Sequence, residues 1–452
     1  SHVYSFSFAP NPDCTRQFAP QAEIRAYLEQ CAQRFELAPY LRFGMGLTRA
    51  VFDEQLQRWQ LQFSNGRHVS ARVLVSGMGG LSRPALPDIA GLDSFKGKRF
   101  HSQQWDHEYS LKGKRVAVIG TGASAIQFVP QLAPQVAHLD LFQRTPPWIM
   151  PKPDRPISRV ERWAFKHLPF TQRLVRGAFY WALEGRVVGF ALHPQLMKMV
   201  QKIALRHLHK QVARPSLRKV LRPDYTIGCK RVLISNDYYP ALSRSNVEVV
   251  TEHVLRIEAD GVITADGIKH PADCLIFGTG FQAADPLPRD CIIGRDGVDL
   301  MDTWRDGAHA YKGTTVPGYP NLFLIVGPNT GLGHNSMILM IEAQVTYLLA
   351  ALQQMRRQQI ATVDVKPAVE SAYNLHIQEK LQRTIWNTGG CRSWYLDPRT
   401  GKNTTLWPGS TWRFKQVTRQ FALRDYHVTP LVSGTALHPL AQPHSTAEGS
   451  LS

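Results

Sequence analysis

The stretch KRVAVIGTGASAIQFVPQLAPQVAHLDLFQRT, residues 114–145, decides the fold. An apolar strand, KRVAVIG, runs into a glycine turn; SAIQFVPQLAPQV has helical spacing, and HLDLFQRT is a second strand. This is a βαβ unit of ordinary length, with a helix that Pro130 should kink or shorten. Gly120, Gly122 and Ala125 give G-x-G-x-x-A between strand and helix. The first glycine permits the tight turn, the second admits a pyrophosphate, and the small third residue lets helix and strand pack closely. With Thr121 and Ser124, this turn is expected to hold a dinucleotide.

The second strand suggests which dinucleotide. An NAD site usually places an acid about 20 residues beyond the first glycine, at the strand tip. Here the tip reads Gln143, Arg144 and Thr145, and a guanidinium suits a 2'-phosphate, so NADPH is favoured over NADH. The competing acid, Asp140, lies inside the apolar HLDLF strand. Lys230 and Arg231, in YTIGCKRVLIS, are adjacent cations that suit either a phosphate site or an ordinary surface.

Outward from this unit, residues 21–38 have helical spacing, and two strand-like stretches follow, joined by an Asn65-Gly66 turn. Val73–Gly77 reads as a buried parallel strand. Residues 151–223 form a helical, aromatic and basic lobe. A hairpin-rich stretch then leads to the strand DCLIFGTGF (273–281), and NLFLIVG (321–327) precedes a helix from about 336 to 355. The expected class is α/β: two Rossmann-like nucleotide-binding domains, one inserted in the other, with a helical excursion. The expected limits are 1–111 and 271–430 for the outer nucleotide-binding domain, 112–270 for the inserted NADPH-binding domain, and 431–452 for a disordered tail.

The 452-residue chain carries 53 Lys and Arg against 35 Asp and Glu, a net charge of +18, which suits an anionic partner. No nucleic-acid-binding signature accompanies this charge, so nucleic acid is set aside. Six cysteines without CxxC spacing predict a reducing compartment, hence the cytoplasm, and no structural zinc. No apolar run reaches the roughly 18 residues of a membrane span. G-x-S-x-G and H-E-x-x-H are missing, and His334 in GLGHNS suits a buried backbone-bonded role as well as a ligand or base. A nicotinamide site without acid/base machinery points to a second cofactor.

Residues 95–106, FKGKRFHSQQWD, carry the resemblance. Phe95, Gly97, His101, Trp105 and Asp106 match the F-x-G-x-x-x-H-x-x-x-W-D/P fingerprint of FAD- and NADPH-dependent Baeyer-Villiger monooxygenases, within the flavin-containing monooxygenases. GTGASA (120–125), FQRTPPW (142–148), GCKR (228–231) and DCLIFGTGF follow in the family's order. The resemblance implies that FAD reduced by NADPH reacts with O2 to give a C4a-peroxyflavin, which attacks a ketone to give an ester or lactone. It implies domain coupling for the fingerprint, 2'-phosphate contacts for Arg144, Thr145 and Lys230, cofactor contacts for Asp273 and Gly280, and an active-site role beside the flavin for Arg231. The aromatic lobe suggests a hydrophobic ketone. Family members also carry an earlier FAD-binding G-x-G-x-x-G ahead of a segment like SHVYSFSF. The chain instead opens on SHVYSFSF, strand-like in its alternation, which predicts a piece lacking the first strand and its turn. Two further readings therefore stand beside the first: an N- or S-oxygenating flavin monooxygenase, and an inactive nucleotide-binding remnant.

Overall fold

The computed structural model describes residues 2–431. Its centre is a five-stranded sheet of β1 (Lys98–His101), β2 (Arg115–Ile119), β3 (His138–Phe142), β4 (Val247–Val250) and β5 (Cys274–Phe277), ordered β4-β3-β2-β5-β1. Every neighbouring pair is parallel. Strand alternation divides the core between the two faces. Val116, Val118, Leu139 and Leu141 pack with Ile126 and Val129 of α1 (Ala125–Leu132). Ala117, Phe142, Leu275 and Phe277 pack with Ile257 and Val262 of an antiparallel meander, 254–271. Burial on both faces explains the near-continuous apolar strands. Pro130 lies within α1, which is eight residues long and so shorter than the stretch with helical spacing.

The lobe at 151–223 is helical as expected, and α2 (Pro169–Glu184) is its longest helix. In the outer domain, 74–76 pairs in parallel with 322–324, and a four-stranded sheet contains 47–53, 58–63 and 68–71. Helix α3 (Met337–Arg357) packs beside strand 360–365 and helix 411–418. It is long and apolar enough to cross a membrane by length and composition, although the sequence suggested no such run. Leu339, Met340, Tyr347 and Ala351 bury its inner face in the protein core.

Several expectations need correction. Strands β1 and β5 belong to the inserted sheet, so that unit reaches beyond 112 at one end and 270 at the other. Val247–Val250 lies parallel to β3 rather than in a hairpin. Residues 2–8 form mostly turns and bends rather than the alternating strand expected; His2 stacks on Phe179, and Phe6 on Phe8. The strand at 74–76 has a single paired neighbour and leaves Val75 43% exposed. Cys229 and Cys391 form a disulfide across 162 residues of sequence, so the cysteines are not all unpaired; Cys14, Cys31, Cys274 and Cys291 remain free and buried. The predicted tail, 431–452, lies outside the described residues except for Leu431.

Candidate functional site

The glycine turn sits at the carboxyl end of β2, where parallel sheets receive ligands. Gly120 has φ +112°, and a Cβ there would stand 2.5 Å from the Gly278 carbonyl oxygen. Only glycine satisfies both conditions. At Gly122 a Cβ would meet no atom within 4 Å, so the turn keeps an open face beside the start of α1. Ser124 occupies the N-cap without a side-chain capping bond, which leaves its hydroxyl available. Thr121 Oγ1 donates to the Thr145 carbonyl at 3.0 Å and joins the turn to the tip of β3.

Arg144 is exposed at that tip, whereas Asp140 is buried within the strand. Trp148 Nε1 donates to the Tyr225 carbonyl at 2.8 Å, and Lys230 Nζ lies 4.9 Å from the centre of the Tyr225 ring. The sequence segments 142–148 and 228–231 thus meet. Burial lowers the Lys230 pKa, and the nearby Arg144 charge lowers it further. Two cations held together beside an open glycine turn fit the 2'-phosphate and pyrophosphate of NADPH.

Arg231 faces a different space. It lines a cavity of about 480 Å³ together with Gly79, Val326, Asn335, Met337 and Tyr395, within the usual range for ligand pockets. Gly228, at φ +100°, makes the turn before Cys229, and the disulfide ties this segment to the loop leading to cavity residues Trp394 and Tyr395. Ser336 caps α3 and, with Met337, brings the positive end of that helix to the cavity wall. Glycine-lined walls, a guanidinium and a helix N-terminus suit a flat anionic cofactor, and FAD fits that donor set.

The fingerprint residues form one buttress at the sheet edge. Phe95 is buried, and a Cβ at Gly97 would stand 2.5 Å from the Asp273 carbonyl oxygen. His101 ends β1 and is buried, with Nε2 lacking a hydrogen-bond partner among the described residues. Burial lowers its pKa, against a smaller opposing effect from the Gly280 backbone. Trp105 packs on Phe100 and on Phe128 of α1. Asp106 pairs with Lys98 at 2.5 Å, which holds its carboxyl below the usual range. Gly280, at φ +85°, follows β5 with no atom within 4 Å of a built Cβ.

Asp273 needs correction as a cofactor contact. It immediately precedes β5, at the opposite end of the sheet, and pairs with Arg115 at 2.8 Å. Its charge is used to tie together the amino ends of two strands.

Sequence reasoning missed two neighbours of the cavity, Val326 and Glu184, and left the role of a third, His334, open. Val326 lines it at φ +59°, an unusual conformation for a β-branched residue, and its N–H donates to Gln344 Oε1 at 2.8 Å. Glu184, the last residue of α2, accepts from Thr411 Oγ1 at 2.6 Å and Asn335 Nδ2 at 2.8 Å. The His334 side chain is fully buried, with Nε2 3.4 Å from Glu184 Oε1. The marks of these roles are a lone acid in an apolar helix and a positive φ, of which only the first is visible in sequence.

Residues 2–298 match the model of the flavin-binding monooxygenase-like family. A Baeyer-Villiger monooxygenase of Pseudomonas aeruginosa is 56% identical, over 95% of this chain and 81% of that protein. One from Streptomyces coelicolor is 48% identical, over 95% and 82%. Cyclohexanone monooxygenase from Rhodococcus sp. Phi1 bound to NADP+ superposes with TM-score 0.84 at 26% identity, covering 95% of this chain and 89% of that one. Steroid monooxygenase bound to NADP gives 0.82 at 27%, with the same coverage.

Proposed function

The chain belongs to the flavin-binding monooxygenase-like family, among its Baeyer-Villiger monooxygenases, and from that premise we propose that it inserts one oxygen atom of O2 beside the carbonyl of a hydrophobic ketone, with NADPH as reductant. The observation that carries the reading is the separation of two adjacent cations: Lys230 lies with Arg144 beside the glycine turn, while Arg231 lines the cavity.

Bound FAD supplies redox chemistry that no side chain can, taking electrons from NADPH and activating O2. The turn from Gly120 to Ala125 holds the pyrophosphate of NADPH, and Arg144 and Lys230 hold its 2'-phosphate. Arg231 keeps a permanent positive charge in the cavity and stabilises negative charge that develops on oxygen there. His101 and Trp105 are positioning residues. They brace the edge strand and α1, so a shift of the inserted domain moves the nucleotide relative to the cavity. The largely apolar cavity wall, with Met337, Leu332 and Leu81, supports a hydrophobic ketone.

The test is turnover of the full-length enzyme with NADPH under 18O2, offering ketones and thioethers together. One labelled oxygen in an ester or lactone is the expected result. Label confined to sulfoxides would overturn the ketone reading in favour of heteroatom oxygenation.

A further inference from the structure

The amino end of the inserted sheet carries a cluster unrelated to either nucleotide. His138 and Asp140 alternate along β3 and so project from the same face. Glu248 of β4 is in register with Asp140, and His270 of the meander covers that face. Asp140 Oδ1 lies 3.1 Å from His138 Nε2 and 3.6 Å from His270 Nδ1. Ligand atoms of His138, Asp140 and Glu248 all lie within 4.8 Å of one another.

Asp140 is only 3% exposed, yet its ion-pair partners among the described residues are two imidazoles, not a lysine or arginine. A carboxylate so buried in an apolar strand needs a cation. A hydrogen bond from His138 accounts for the 3.1 Å contact, but not for a Glu248 carboxylate oxygen lying within 4.8 Å of both groups. Donors about 2.0–2.1 Å from a tetrahedral ion stand about 3.3 Å apart, a spacing close to the 3.1 Å between His138 and Asp140.

We propose that His138, Asp140 and Glu248 bind a zinc-class divalent cation, with His270, 3.6 Å from Asp140, bracing the buried carboxylate from behind. An imidazole and two carboxylates are a borderline donor set that suits zinc better than calcium. Exposed Glu248 gives the ion an entry from solvent. The site joins β3 and β4. Its role is structural, because Asp140 stands four strand residues, roughly 13 Å, from Arg144 at the nucleotide end.

The experiment uses the flavin-loaded full-length protein, stripped with a chelator and titrated with zinc sulfate by calorimetry and metal analysis. One zinc per chain is expected, with affinity at least tenfold weaker in both Glu248→Gln and His138→Ala. Neither residue is buried, so both variants should fold; melting curves without metal check this. Zinc should raise the melting temperature of the unsubstituted protein and not of the variants. No binding at micromolar zinc, or equal binding in both variants, would overturn the site and leave a simple imidazole–carboxylate pair.

Discussion

Lys230 and Arg231 are neighbours in sequence that face different spaces, and the preceding left-handed Gly228 helps to set that divergence. The roles proposed for them as anion ligands were legible only in part: adjacent cations are common on surfaces, and what distinguishes them is Tyr225 and the cavity wall, both brought in by the fold. Arg144 was clearer, because its place at the strand tip follows from the length of the βαβ unit. Arg144→Ala is expected to raise the NADPH dissociation constant about 10- to 100-fold, as loss of a charge-assisted bond costs about 1.5–3 kcal/mol. NADH binding should change little, and fluorescence titration with both nucleotides checks this. Glu184 allows a second prediction. Burial would raise its pKa, but bonds with His334, Thr411, Asn335 and the Trp412 N–H outweigh that and hold it at about 2 instead of 4.5. A depressed folded-state value means the stabilisation is complete above pH 4.5 and is lost as pH falls towards 2. Its size is on the order of 3 kcal/mol. Glu184→Gln should therefore lower the melting temperature at pH 7 and flatten the fall in stability between pH 4.5 and 2, which calorimetry across that range measures.

At the scale of elements, the strand–turn–helix unit was legible because apolar periodicity and glycine spacing are local properties. Partners of β1 and β5 were not, since strand pairing depends on residues 175 or so positions away, as with Phe100 against Ile276. The buttress at Gly97 has the same origin: its close neighbour is the Asp273 carbonyl, which only the folded sheet supplies. The two glycines of the turn separate backbone strain from ligand access. Gly120→Ala places a Cβ against the Gly278 carbonyl at a positive φ and should destabilise the protein by about 2–4 kcal/mol. Gly122→Ala meets nothing within 4 Å among the described residues and should leave the melting temperature almost unchanged while weakening NADPH binding, because its methyl group would enter the space proposed for the pyrophosphate. Thermal unfolding and nucleotide titration of the pair decide between these effects. Equal destabilisation by both would refute the separation.

At the scale of the whole molecule, nesting of one nucleotide-binding unit within another followed from the order of motifs, while the tether across it did not. Cys229 and Cys391 have no local spacing that marks them as partners, and their pairing depends on the lobe and the carboxyl-terminal loop folding against each other. Gly389 shows how closely these segments pack, since a Cβ there would stand 2.5 Å from that of Cys229. The bond links the segment bearing Lys230 and Arg231 to the loop bearing Trp394 and Tyr395. It restricts the unfolded chain and also fixes one wall of the cavity. Cys391→Ser is expected to lower stability by about 2–5 kcal/mol, the usual effect of removing a long-range disulfide. It should also weaken NADPH binding, through the position of Lys230, and lower turnover, through that of Arg231. Thiol titration of the denatured chain before and after reduction should count four and then six groups. Unchanged melting and nucleotide affinity in Cys391→Ser, with the oxidised bond verified in the unsubstituted protein, would show that packing of the lobe alone positions the two cations.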